Sequence, residues 1–167
     1  LAVKRLFPDV KLGIGPSIEN GFYYDFDNLK IQNTDIEKIE NEMKKIVKEK
    51  IPFERKVISR EEAVTLFAHE PFKLELISDL PEKEVISIYT LAEFTDLCQG
   101  PHIPHSGYAK AIKLQHLAGS YWKGSSDNPM LTRIYGTVFF DKKELKEYLE
   151  MRRIAEESDH ARLGKEL

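Results

Sequence analysis

Strand-like and helix-like segments do not alternate one for one along this chain, and that order most constrains its fold. Two long runs alternate apolar and polar residues, Tyr108 to Leu117 and Leu131 to Phe140, the pattern of strands with one buried face. They follow one another with only a turn-rich stretch, Ser125-Ser126-Asp127-Asn128-Pro129, between them. A doubly wound parallel sheet would need a helical crossover there. The expected class is therefore α+β: an antiparallel sheet with helices packed against it, ending in a long C-terminal linker helix.

The remaining segments fit that class. Ala2 to Phe7 reads as the last turns of a helix stopped by Pro8, and Gly21 to Phe26 as an aromatic-rich strand. In Thr34 to Lys48, Ile36, Ile39, Met43, Ile46 and Val47 recur at helical spacing, with Thr34 and Glu37 as a capping box. Phe53 to Ile58 reads as a short strand. Ser59 with Glu62 opens a helix carrying Ala63, Leu66 and Phe67 inward, and Pro71 opens another ending near Leu80. Glu84 to Thr90 reads as a strand, and Asp141 with Glu144 starts a final long helix. Its apolar stripe, Leu145, Tyr148, Leu149 and Ala155, gives out into Glu156-Glu157-Ser158-Asp159-His160. A helix that outruns its stripe either bridges to another domain or ends solvated.

Composition limits the function. The 167 residues suit about one domain. Twenty-eight acids against 25 bases give a net charge of -3, with no electrostatic signature of autonomous nucleic-acid binding. The single cysteine excludes an internal disulfide and suits a reducing compartment. No apolar run approaches a membrane span, so no membrane partner is expected and the location expected is cytoplasmic.

The chemistry concentrates in Cys98-Gln99-Gly100-Pro101-His102. Gly100-Pro101 implies a fixed turn, bringing together a thiol and an imidazole, side chains suited to hold a metal or to activate water. Asp96 precedes them. Lys73 shares a helical face with Leu76, Ile77 and Leu80, where an ammonium needs a partner, a job, or a route to water. Tyr23 and Tyr24 point to opposite faces of their strand, so only one faces a pocket. His105, His69 and His160 read as surface residues, and His116 as a core or rim histidine on the Ile112/Leu114 face. Gly119-Ser120-Tyr121-Trp122-Lys123-Gly124 is either a loop that meets a terminal nucleotide or a turn around a partly buried Trp. Gly13-x-Gly15-Pro16 lacks a following helical pattern and is no nucleotide-binding loop.

Read in order, Ile14-Gly15-Pro16, Asn20-Gly21-Phe22-Tyr23-Tyr24-Asp25, Asp96 to His102, Ala118 to Gly124, Arg133-Ile134-Tyr135-Gly136-Thr137 and Asp159 to Leu167 resemble the editing domain of bacterial threonyl-tRNA synthetases. Related domains occur in alanyl-tRNA synthetases and free-standing alanyl-type deacylases. The resemblance implies hydrolysis of mischarged seryl-tRNA(Thr) at its 3′ end, within an ATP-dependent ligase that works as a homodimer. It implies Cys98, His102 and Lys73 as catalytic residues, and it selects Tyr24 and Asp96 to bind substrate. It also implies a division into an editing domain over 1–140 and a linker helix over 141–167. The helix would run toward aminoacylation and anticodon-binding domains.

The family carries a His-x-x-x-His just before a segment like Leu1 to Leu6, and this sequence does not contain it. The expectation is a fragment with half its site upstream, poorly active alone. With only Cys98 and His102 as ligands it would hold no metal or other cofactor, while zinc stays open for the intact protein. The alternatives are a non-catalytic RNA-end or interdomain module and a trans-acting alanyl-type deacylase.

Overall fold

The computed structural model describes residues 1–19, 21–99 and 102–166, with side chains through residue 161. The Gly100-Pro101 turn lies outside the described residues. The expected α+β class holds: two antiparallel sheets with helices packed on them.

The larger sheet runs β1 (Lys11–Leu12), β3 (Gly21–Asp27), β8 (Met130–Phe139), β7 (Ala111–Tyr121), with β2 (Ser17–Ile18) also on β3. The smaller runs β4 (Phe53–Ile58), β5 (Ile86–Leu91), β6 (Phe94–Leu97). The alternating runs become the long hairpin β7–β8, and the connection between them uses the expected turn chemistry, with Asn128 N–H donating to Ser125 C=O at 3.0 Å.

The main core lies between the sheets. Phe26, Leu114 and Ile134 from one meet Leu91 from the other, closed by Ala2 and Val3 of α1 (Ala2–Leu6) and Ile39 and Ile46 of α2 (Asn33–Glu49). A second cluster fills the opposite face of the smaller sheet, where α3 (Arg60–Leu66) and α4 (Pro71–Asp79) bring Ala63, Phe67 and Ile77 against Ile58, Ile86 and Ile88. A third, Phe72, Trp122 and Leu131, ties α4 to the β7–β8 connection.

Several expectations change. α2 starts at Asn33, because the Asp35 carboxylate reaches back to accept from Gln32 N–H at 2.8 Å, which displaces the Thr34–Glu37 cap. Leu66 is exposed: α3 is short, and its single buried row is Ala63 followed by Phe67. The strand expected from Tyr108 begins at Ala111, since Ser106–Tyr108 forms a 3-10 turn. A bulge between Leu114 and His116 reverses the alternation. His116 therefore sits on the outer face, exposed and stacked on Tyr135 at 4.5 Å. His105 is half-buried, its Nδ1 accepting from Gly107 N–H at 3.1 Å. Ser59 caps α3 and Asp141 caps α5 (Lys142–Glu166) as expected, by accepting from Glu62 N–H and Lys143 N–H. Among the described residues no helix is long and apolar enough to cross a membrane.

Candidate functional site

Strand β6 organises the site. It is four residues long and follows a tight turn in which Ala92 takes a left-handed conformation, φ 54°. Asp96 lies opposite Tyr89 of β5. The ladder continues one step past β6: Cys98 N–H donates to Ser87 C=O at 3.2 Å, and Ser87 Oγ donates to Cys98 C=O at 2.6 Å. Strand alternation thus puts Asp96 and Cys98 on one face.

That face looks toward the larger sheet. Tyr24 of β3 bridges the gap, its hydroxyl donating to Asp96 Oδ2 at 2.6 Å. Burial first, and then the Asp96 charge, push the Tyr24 phenol well above its ordinary value. It stays protonated and remains a donor. Tyr23 points to the other face, where Arg133 lies over its ring at 3.9 Å.

Lys73 completes the first group. It is 3% exposed, too deep to snorkel, and its Nζ lies 2.5 Å from Asp96 Oδ1 and 5.5 Å from the centre of the Tyr24 ring. Asp96 Oδ1 receives no hydrogen bond of regular geometry among the described residues, so Lys73 meets it as an ion pair. Removing one partner of a buried pair leaves a charge uncompensated, at a cost of roughly 3–5 kcal/mol.

The second group is Cys98 and His102. Cys98 Sγ lies 3.7 Å from His102 Nδ1. The imidazole is exposed on one side and stacks on Tyr89 at 4.0 Å, nearly parallel at 12°, with Phe53 edge-on at 5.3 Å. The chain beyond is pinned to β4, where Phe53 N–H donates to Pro104 C=O at 3.0 Å. Tyr89 links the groups, being opposite Asp96 and under His102. Sequence reasoning missed it. An aromatic inside an apolar strand reads as core, and the signal is a strand position that pairs with Asp96.

The structure thus brings Tyr24 and Lys73 onto Asp96 and sets Cys98 beside His102, with Tyr89 between the two groups. It leaves out the Trp122 loop: Trp122 is buried, and Lys123 pairs with Glu75 and Asp79. Zinc takes about three or four protein ligands. Among the described residues no three His, Cys, Asp or Glu side chains gather to hold a metal, and Cys98 with His102 alone fall short of a site.

Residues 86–135, which include β5, β6, Cys98 and His102, match the threonyl and alanyl tRNA synthetase second additional domain. The chain is 56% identical over 168 residues to a threonine–tRNA ligase of Enterococcus faecalis. It is 57% identical over 169 residues to that of Anoxybacillus flavithermus, and 53% over 169 to that of Streptococcus suis. Each alignment covers 99% of this chain. The chain is thus similar to this second-additional-domain region of threonine–tRNA ligases. The chain spans 26% of the length of each of these relatives.

Within this domain, Gly15 serves Tyr24 and no phosphate. A Cβ at Gly15 would stand 2.0 Å from Tyr24 Cδ2. Gly15→Ala is expected to push the ring off Asp96 and lower stability by about 1–3 kcal/mol, the cost of overpacking. A urea melt, with the Tyr24 hydroxyl followed by NMR, checks this; an unchanged midpoint and an intact hydrogen bond would refute it.

Proposed function

We propose that this domain hydrolyses the ester joining serine to the 3′ adenosine of tRNA(Thr), the proofreading step of a threonine–tRNA ligase. The observation that supports this reading is the convergence of Tyr24 and Lys73 on Asp96, two residues before Cys98, whose thiol meets His102.

The need for such a step follows from binding energy. Serine is threonine less one methyl, and a methyl-sized difference is worth about 1–3 kcal/mol to a selecting pocket. A second pocket that destroys the smaller product supplies the missing discrimination.

The residues divide the work. Asp96, polarised between Lys73 and Tyr24, receives the substrate ammonium or hydroxyl. His102 is tethered at Nδ1 by Cys98 and braced by Tyr89. Its other nitrogen positions a water and takes its proton as the water adds to the ester carbonyl carbon. Lys73 steadies the oxyanion that develops. The C–O bond to the ribose then breaks, and the ribose oxygen takes up a proton as serine leaves.

The protein setting is part of the proposal. Residues 1–140 form the deacylase unit and 141–167 lead to the aminoacylation and anticodon-binding domains of a cytoplasmic homodimer. Met151 and Ile154 of α5, 59% and 51% exposed, suit a helix with a further neighbour. The relatives compared are threonine–tRNA ligases, which favours this reading over a trans-acting alanyl-type deacylase.

The test is release of serine from seryl-tRNA(Thr). The full-length protein is expected to release it rapidly. Survival of the ester with the full-length protein would sink the proposal.

A further inference from the structure

The Trp122 segment, in sequence either a nucleotide contact or a turn around a partly buried Trp, is turned inward against α4. It joins β7 to β8 and packs on the helix that carries Lys73. α4 has nine residues, and a helix that short has little stability of its own, so its place is set by what it packs against. It has two working faces. Ile77 faces the smaller sheet, and Lys73 reaches Asp96. Phe72, Glu75, Leu76 and Asp79 face the β7–β8 connection.

Trp122 fills that second side. It is 4% exposed and meets Phe72 edge-on at 4.9 Å. Its Nε1–H donates to Glu75 Oε2 at 2.8 Å. The other carboxylate oxygen, Oε1, lies 2.8 Å from Lys123 Nζ, which also lies 2.5 Å from Asp79 Oδ2. Lys123, and then Trp122, hold the Glu75 carboxyl below its ordinary value. Lys123 reaches both acids from a left-handed backbone, φ 54°, a conformation that costs a non-glycine residue energy. The connection is closed on itself as well: Asn128 Nδ2 donates to Trp122 C=O at 2.8 Å, and Trp122 N–H donates to Pro129 C=O at 3.0 Å.

Exposed ion pairs alone contribute little. The unusual feature is one carboxylate that joins a buried indole to the helix bearing a buried lysine. Glu75 is two residues from Lys73, and a short helix moves as a unit. A shift of about 1 Å at a reacting group can cost roughly a hundredfold in rate.

We propose that Trp122 and Glu75 are positioning residues: they fix α4 so that the Lys73 ammonium stays on Asp96. Their effect on rate, which rests on the deacylase reading, passes through Lys73. Lys123 has the smaller share because its pairs with Glu75 and Asp79 are exposed at both ends, whereas the Trp122 indole is buried.

The experiment uses the full-length protein with Glu75→Ala and Trp122→Phe, the latter keeping an aromatic ring while losing the N–H. Serine release from seryl-tRNA(Thr) should fall about 10- to 100-fold, in kcat more than in KM, with threonine attachment unchanged. In a Lys73→Ala background the same changes should cost nothing further. Wild-type rates, or a full additional loss in that background, would overturn the proposal. A second arm is independent of catalysis. Backbone hydrogen exchange in residues 74–79 should quicken in Glu75→Ala while β3 and β8 stay protected. Unchanged exchange in α4 would overturn the latch even if the protein deacylates. If wild type releases no serine, the deacylase reading fails and this second arm alone decides the latch.

Discussion

Cys98→Ala and His102→Ala in the full-length protein are expected to lower serine release from seryl-tRNA(Thr) by about two to four orders of magnitude, the range for losing a positioned acid–base group. Threonine attachment should stay normal, since synthesis and proofreading use separate pockets. The two changes act on one unit. His102 is held by the Cys98 thiol at 3.7 Å and by the Tyr89 ring at 4.0 Å. Removing the thiol frees the imidazole to turn about its remaining stack, and removing the imidazole leaves the thiol with nothing to orient. The double variant should therefore be little worse than either single one, as for residues that work together. Neither side chain belongs to the buried core clusters, so thermal stability should change little. Single-turnover deacylation at equal enzyme and tRNA concentration makes the comparison. Wild-type rates for both variants would reduce Cys98 and His102 to surface features.

How much of this was legible in the sequence depends on the length of each signal. The hairpin β7–β8 spans two long alternating runs, and period-two patterning shows through at that length. Strand β6 has four residues, enclosed by a turn on one side and the Cys98 segment on the other, and nothing in so short a stretch marks it. The direction in which Asp96 points is consequently invisible in sequence, and the pairing with Tyr89 supplies it. His116 went astray for a related reason. A bulge is one inserted residue, and it reverses every later position on the strand without leaving a pattern of its own.

The site divides in the same way. Cys98 and His102 are close in sequence and their meeting follows from spacing. Lys73 stood out as an ammonium on an apolar face, and its burial at 3% exposure bears out that oddity. Tyr24 could be separated from Tyr23 only by the family resemblance, because strand alternation says that they part and not which one faces inward. That Tyr24 and Lys73 both meet Asp96 is long-range information, with Tyr24 and Asp96 72 positions apart in the chain. Trp122 carried an ambiguous signal. Aromatic, basic and small residues together suit a nucleotide contact, and they equally suit a plug with a charged rim. Phe72 and Glu75 on α4 decide for the plug.

On the proposed reading, this site destroys seryl-tRNA and spares threonyl-tRNA. Both substrates offer the same ammonium, carbonyl and hydroxyl, so Lys73, Asp96 and Tyr24 meet them alike. Only the γ-methyl of threonine differs. Rejection then comes from a close-packed wall, from displacement of the attacking water, or from both. A methyl against a rigid wall is worth about 1–3 kcal/mol, or roughly 10- to 200-fold. Moving the water by about 1 Å adds roughly another hundredfold. The decisive measurement sets seryl-tRNA(Thr) and threonyl-tRNA(Thr) side by side with the full-length protein and follows release of each amino acid. Serine should leave at least about a hundred times faster, and His102→Ala should erase most of that difference by slowing the seryl reaction alone. Equal release of serine and threonine, or none of either, would contradict the account.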